Sequence, residues 1–229
     1  VSGEVARPLA LAAELCPGEA PADAEGWRGA WLAGEVLLEI GIERVARSGL
    51  GRDLLARTRK RLAALVGGGH LAPRERAEAG DVLGKLGDPR PGVGVVAGTG
   101  QSPSLPDMVW VEIPPGPFLM GSLVDDQEAR NDETPQRLVE IDHPFWMARY
   151  PVSVAQFTCF LEAGGYQEPV WWTAAGWAWR QGDRDNQVED ELTRAFLSMR
   201  PPELRYVPMW WEDQRAYSNR PVMGVSWFE

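Results

Sequence analysis

Nine of the chain's eleven tryptophans fall after residue 105, in a stretch that shows little helical or strand periodicity. A segment without hydrogen-bonded ladders keeps one shape only if large rings bury much area per residue and its backbone polar groups find other partners. The second half of the chain is therefore expected to fold largely as loops braced by indoles. Tryptophan in such loops is more often a packing residue than a ligand contact.

The first half reads as helices. Val5, Leu9 and Leu15 predict a short leading helix, and Trp27, Trp31, Leu38, Ile42 and Val45 form a longer stripe that Gly34 and Gly41 weaken. Leu54, Leu55, Thr58, Leu62 and Leu65 make a second stripe, which Gly67, Gly68 and Gly69 end. Pro73 opens a third helix with Ala77, Gly80, Leu83 and Leu86 inward and Gly87 as its stop. The expectation is a small bundle or a fragment of a helical array over residues 1–87. Residues 88–106 have the glycine and proline content of a linker. Residues 107–229 form the second expected domain.

Charge divides the same way. Residues 1–104 hold thirteen basic and thirteen acidic side chains, whereas residues 105–229 hold ten and twenty, which gives the whole net charge of −10. So acidic a segment repels phosphate backbones, so no nucleic-acid partner is expected. Its simplest role is to keep a tryptophan-rich surface in solution. No apolar run approaches the roughly 20 residues that span a bilayer, so no membrane partner is expected either. Cys16 and Cys159 lie far apart and share no metal-ligand spacing. That usage fits a reducing compartment, and a cytoplasmic location is expected.

Met108–Ile113 and Phe118–Met120, joined by a proline-rich turn, predict a β-hairpin, and Arg137–Ile141 and Phe145–Ala148 predict two more strands. Ser153 is placed to cap a helix bearing Val154, Phe157, Phe160 and Leu161, ended by Gly164 and Gly165. Beyond Tyr166 the expectation is mostly loop, carrying Trp171, Trp172, Trp177, Trp179, Trp210 and Trp211. The fold class is α+β.

Three blocks within this segment resemble one family. The first is Val109-Trp110-Val111-Glu112-Ile113-Pro114-Pro115-Gly116-Pro117-Phe118-Leu119-Met120-Gly121-Ser122. The middle block combines Asp132-Glu133-Thr134-Pro135 with a strand-then-helix element spanning Phe145, Met147, Arg149-Tyr150-Pro151-Val152-Ser153, Phe157 and Phe160. The last is Asn219-Arg220-Pro221-Val222-Met223-Gly224-Val225-Ser226-Trp227-Phe228-Glu229. In this order they resemble the front half of a formylglycine-generating-enzyme (sulfatase-modifying-factor) domain. The resemblance implies a variant of the C-type lectin fold, poor in regular secondary structure, behind the small helical segment. It also implies that the oxidase cysteine pair and its copper, and the calcium site, belong to a part beyond Glu229, so no catalytic or metal-ligating residue is assigned here. On the same reading the rest of the domain, as a second chain or a downstream segment, is a partner, and Val225 and Trp227 pack against atoms outside these 229 residues.

Cys159 shares a helix with Phe157 and Phe160 and reads as a buried core thiol. His70 and His143 stand in different segments, so the His-x-x-x-His cluster of iron-using relatives is absent. Gly92-x-Gly94-x-x-Ala97 follows prolines rather than a strand and is not a dinucleotide fingerprint. Asp183-Arg184-Asp185-Asn186 begins like a calcium loop but continues with Val188 and Arg194 where a glycine and a glutamate are required, which excludes an EF-hand and leaves an irregular calcium site open. The expected function is a non-catalytic module binding a protein or peptide, as in the variable proteins of diversity-generating retroelements, with the six tryptophans at 171, 172, 177, 179, 210 and 211 as ligand-binding candidates. The alternative is a formylglycine-generating oxidase acting on a cysteine of a substrate peptide.

Overall fold

The computed structural model describes residues 3–100, 103–183 and 191–229. It is an α+β protein whose Cα positions cluster into two compact units, one formed by residues 1–107 and 151–229 and the other by residues 108–150.

The first unit begins with helices α1 (Gly3–Leu15), α2 (Ala24–Ile40), α3 (Ile42–Ala46), α4 (Gly49–Gly67) and α5 (Pro73–Leu86). Asp23 caps α2 and Ser48 caps α4, each side chain accepting from a backbone N–H three residues on. The long stripe expected from Trp27 to Val45 is broken at Gly41, whose φ of 90° only glycine adopts without strain. The buried face of α2 is Trp27, Ala30, Ala33, Gly34, Leu37 and Ile40, so Trp31 and Leu38 sit at its margin rather than its centre. The α4 stripe is buried as expected. On α5 the inward face is Ala79, Val82, Leu83 and Leu86, and Ala77 is exposed. Small residues let α2 and α5 approach closely: a Cβ on Gly34 would stand 2.7 Å from Val82 Cγ1. Leu37, Leu54, Leu62, Leu65 and Leu83 have no exposed surface, and each such side chain contributes about 1.5–3 kcal/mol on burial.

The proline- and glycine-rich stretch after α5 is held at several points. Asp88 pairs with Arg90 at 2.7 Å, and Gly92 N–H donates to Asp107 Oδ2 at 2.8 Å. Two-residue strands β1 (Val95–Val96) and β2 (Leu105–Pro106) pair antiparallel. Helix α6 (Val154–Glu162) closes the polar knot. Ser153 Oγ donates to Val93 O at 2.6 Å, and the Gln156 amide donates to Gly92 O at 3.1 Å and Asp107 O at 2.5 Å. Ser153 N–H donates in turn to Gln156 Oε1, completing a capping box.

Beyond Tyr166 the chain is less irregular than the sequence suggested. It forms helices α7 (Ala174–Gln181), α8 (Glu191–Met199) and α9 (Trp211–Gln214). Thr173 caps α7 and Gly182 ends it in the left-handed region, a capping pattern that tryptophan density had masked.

The second unit carries β3 (Trp110–Ile113), β4 (Gly116–Met120), β5 (Arg137–Ile141) and β6 (Phe145–Ala148). The expected hairpin between β3 and β4 does not form; β3 pairs with β6 and β4 with β5, both antiparallel. The two pairs are separate two-stranded sheets, and between their registers Pro114–Pro115 lie opposite three residues, 142–144. Two prolines in that short connection remove both of its N–H donors, so β4 continues past β3 and both meet returning strands.

Acid titration tests the knot. Burial opposes ionisation of Asp88, yet hydrogen bonds from Arg90 and Asn219 outweigh it and hold the carboxyl below its usual range. A carboxyl lowered by folding adds stability that is present above about pH 4 and is lost as pH falls through its folded value. Asp88→Asn is expected to be less stable than the parent at pH 6–7 by denaturant melts, with the difference shrinking towards pH 2–3. A gap that stays constant across that range would contradict this role.

Candidate functional site

Helix α6 presents Phe157 and Phe160 to a ring cluster. Trp172 is its hub, with ring centroids 5.5 Å from Tyr166, 6.3 Å from Phe160 and 6.3 Å from Trp177. Trp179 lies nearly parallel to Trp172 at 6.4 Å and meets Phe228 at 6.0 Å. Trp211 reaches Phe157 at 6.3 Å. The Trp172 indole N–H donates to Gly165 O at 2.7 Å, so the hub is fixed by a polar bond as well as by packing.

A buried charge pair adjoins this cluster. Arg200 donates to both carboxylate oxygens of Glu229, at 2.7 and 2.5 Å, and the two side chains are 3% and 0% exposed. Tyr166 hydroxyl bonds to the same carboxylate, and Ser226 N–H donates to it at 2.6 Å. Arg200 also reaches Val207 O and Gly224 O. The guanidinium groups of Arg200 and Arg205 stand 5.4 and 4.9 Å from the Trp179 ring centroid, within cation–π range. Arg205 further donates to the carbonyls of Arg200 and Trp179.

For Tyr166 and Arg200 the titration shifts make proton exchange near neutrality harder. Burial and the charge of Glu229 push the Tyr166 hydroxyl well up. For Arg200, burial favours the neutral form but the Glu229 carboxylate outweighs it and raises its affinity for the proton. Burial, with the charges of Arg205 and Arg200, lowers that of Arg180. The cluster is thus a rigid brace rather than an acid–base pair.

Of the six tryptophan candidates, the structure gathers Trp172, Trp177, Trp179 and Trp211 into the ring network. Trp171 and Trp210 are instead 62% and 59% exposed. Trp210 stands in the left-handed region at φ 57°, where a bulky side chain is rare. Gln214, itself buried, clamps the neighbouring chain. Its amide donates to Met209 O at 2.8 Å and Met223 O at 3.0 Å, and accepts from Met223 N–H at 2.9 Å. Val225 and Trp227 are 37% and 97% exposed, so neither is sealed inside the chain's own core.

Cys159 is half-buried rather than fully buried, and burial together with the charge of Glu162 pushes its thiol up, which disfavours the reactive thiolate. His70 stacks on Trp27 at 4.4 Å, and exposed His143 pairs with Asp142. Among the described residues no three His, Cys, Asp or Glu side chains come together to hold a metal. Residues 184–186 of the calcium-like sequence lie outside the described residues. The described helices include none long and apolar enough to cross a membrane.

Arg200, Arg205, Gln214 and Glu229 were not singled out from sequence. Arginines within a tryptophan-rich, acidic segment were the available signal, since such residues stack on indoles.

The comparisons agree with the blocks that run through both units. The chain matches the family described as "Sulfatase-modifying factor enzyme 1-like domain" over residues 95–229, more than half its length, and it belongs to that family. Among individual proteins it is similar to the hercynine oxygenase of Mycolicibacterium smegmatis, with 38% identity over 72 residues, which is 31% of this chain and 17% of that protein. It is likewise similar to the hercynine oxygenase of Mycolicibacterium thermoresistibile, with 38% identity over 65 residues, 28% of this chain and 14% of that protein. The chain therefore spans less than a fifth of either relative.

Glu229→Gln tests the brace. Removing the charge leaves Arg200 buried without a counter-ion, and breaking such a pair costs about 3–5 kcal/mol. Urea unfolding followed by tryptophan emission is expected to show a loss of that size. A loss under about 1 kcal/mol, the range of exposed pairs, would remove the pair from its anchoring role.

Proposed function

We propose that residues 95–229 serve as a binding module for a protein or peptide, with Trp171 and Trp210 as contact residues. Trp172, Trp177, Trp179 and Trp211 support them. The observation that carries this reading is the setting of Trp210: a large indole held outward on a left-handed backbone position. A left-handed L-residue costs roughly 1–2 kcal/mol, and such strain concentrates at ligand sites when surrounding bonds over-determine it. The Gln214 clamp supplies those bonds. Exposed indoles on a rigid base are also favoured contact residues, because they bring large area at little entropy cost. The surplus of carboxylates after residue 105 favours a neutral or basic partner segment over a phosphate-bearing one.

Peptides selected from a display library on the parent protein provide the test. Trp210→Ala and Trp171→Ala are each expected to weaken the selected peptides at least about tenfold by calorimetry, while the melting temperature stays unchanged. Peptides that bind both variants as tightly as the parent would overturn the assignment of these two residues, and failure to select any peptide would count against the module itself.

A second reading is an oxidase of the formylglycine-generating type, acting on a cysteine of a substrate peptide with copper and oxygen. The word oxygenase in the names of both Mycolicibacterium relatives favours it. On this reading the metal ligands come from outside the described residues. Incubating the protein with copper, an excess of a thiol reductant and a cysteine-containing peptide in air, then weighing the peptide by mass spectrometry, is expected to show aldehyde formation, with sulfide and water released and the thiol supplying the two further electrons that reduction of O2 requires. An unchanged mass together with no copper binding would remove this reading.

A further inference from the structure

The closing segment Tyr217–Glu229 is fastened at three separate stations. At the first, side chains grip α5 and the turn after it: Ser218 Oγ donates to Gly84 O at 3.3 Å, and the Asn219 amide donates to Gly80 O and to Asp88 Oδ2, both at 2.9 Å. Arg220 makes a two-pronged ion pair with Asp81 and lies over the Tyr217 ring at 3.8 Å. The same residues turn their backbone towards α6. Ser218 O accepts from Ala155 N–H at 2.8 Å, and Arg220 O accepts from Val154 N–H at 2.9 Å. These are the first two amides of α6, which have no partner within their own helix. The second station is the Gln214 clamp on Met223, with Met209 N–H donating to Gly224 O at 2.9 Å. The third is Glu229 on Arg200 and Tyr166, beside the contact of Phe228 with Trp179.

We infer that Tyr217–Glu229 is a strap through which helix α5 sets the position of the aromatic cluster. The helical segment is then a positioning element for the tryptophan site rather than an independent neighbour of it. The physical basis is a short chain of bonds with no slack: moving Ser218 and Arg220 off α5 withdraws two acceptors from α6, which carries Phe157 and Phe160 into the ring network. This inference stands apart from the binding function, because it concerns how the site is held and not what occupies it.

Gly84 gives a test that leaves α5 intact. A Cβ there would stand 2.4 Å from Asn219 Oδ1, and Asn219 cannot withdraw without losing its bonds to Gly80 and Asp88. Alanine otherwise favours the helix. Gly80→Ala is the control, since its Cβ would meet only Val66 Cγ2, at an ordinary 3.6 Å. Amide exchange in the whole 229-residue chain is the readout. Gly84→Ala is expected to speed exchange about tenfold or more at Val154 and Ala155 and also at Met223 and Ser226, with Gly80→Ala unchanged at all four. Acceleration confined to Val154 and Ala155 would overturn the inference by showing that the stations are independent; no acceleration anywhere would overturn it outright. If Gly84→Ala unfolds the chain, Asp81→Asn, which removes only the Arg220 ion pair, is read by the same four amides and the same criteria.

Discussion

A buried carbonyl or amide must find a partner, and after Tyr166 the described chain has no strand to provide one. Long polar side chains do the work of the missing ladders. Arg200 serves the carbonyls of Val207 and Gly224, Arg205 those of Arg200 and Trp179, Gln214 those of Met209 and Met223, and Trp172 that of Gly165. Gln156 does the same upstream for Gly92 and Asp107. Each such bond contributes only about 0.5–1.5 kcal/mol net, but leaving its acceptor buried and unmet costs more. The loops are therefore specified by a few polar residues at fixed positions, and the aromatic cluster fills the space that those bonds define.

This arrangement explains why the buried charges read as scaffold. A carboxylate poised for catalysis needs a proton it can gain or lose near neutral pH. Glu229 accepts from Arg200, Tyr166 and Ser226 together, so its oxygens are occupied. Tyr166 is held protonated by burial and by that same carboxylate. Among the described residues, the indoles of Trp171 and Trp210, and of Trp227 on the strap, are exposed.

The helices before residue 87 were legible because their signals are local. Pro73 and Gly87 start and stop α5 by short-range chemistry, and the α4 stripe was read residue by residue, whereas the caps Asp23 and Ser48 were not read. The face of α2 was misjudged because the alanines and glycine at 30, 33 and 34 bury as effectively as large residues where helices approach closely. Strand existence was readable for β5 and β6, but pairing was not, since β3 meets β6 across more than thirty residues of sequence and no local pattern encodes that distance. Tryptophan density singled out the segment that holds the ring cluster. It could not separate Trp172, locked at the hub, from Trp210, held outward, because that difference is made by Gln214 and by backbone conformation.

The strap also bears on how the family's closing block should be understood in this chain. Asn219, Arg220 and Pro221 belong to that block, yet the Asn219 and Arg220 side chains are spent on Gly80, Asp81 and Asp88 of the helical segment, while Pro221 pairs with Ser153 in an isolated bridge. One short sequence thus joins the helices to the start of α6 and continues to the anchor at Glu229. A change on α5 that respects helix geometry but not the Asn219 contact would be felt at residues its own side chain never touches. Helix and site in this molecule are consequently parts of one folding unit, because the backbone acceptors that begin α6 are placed by side chains that end on α5.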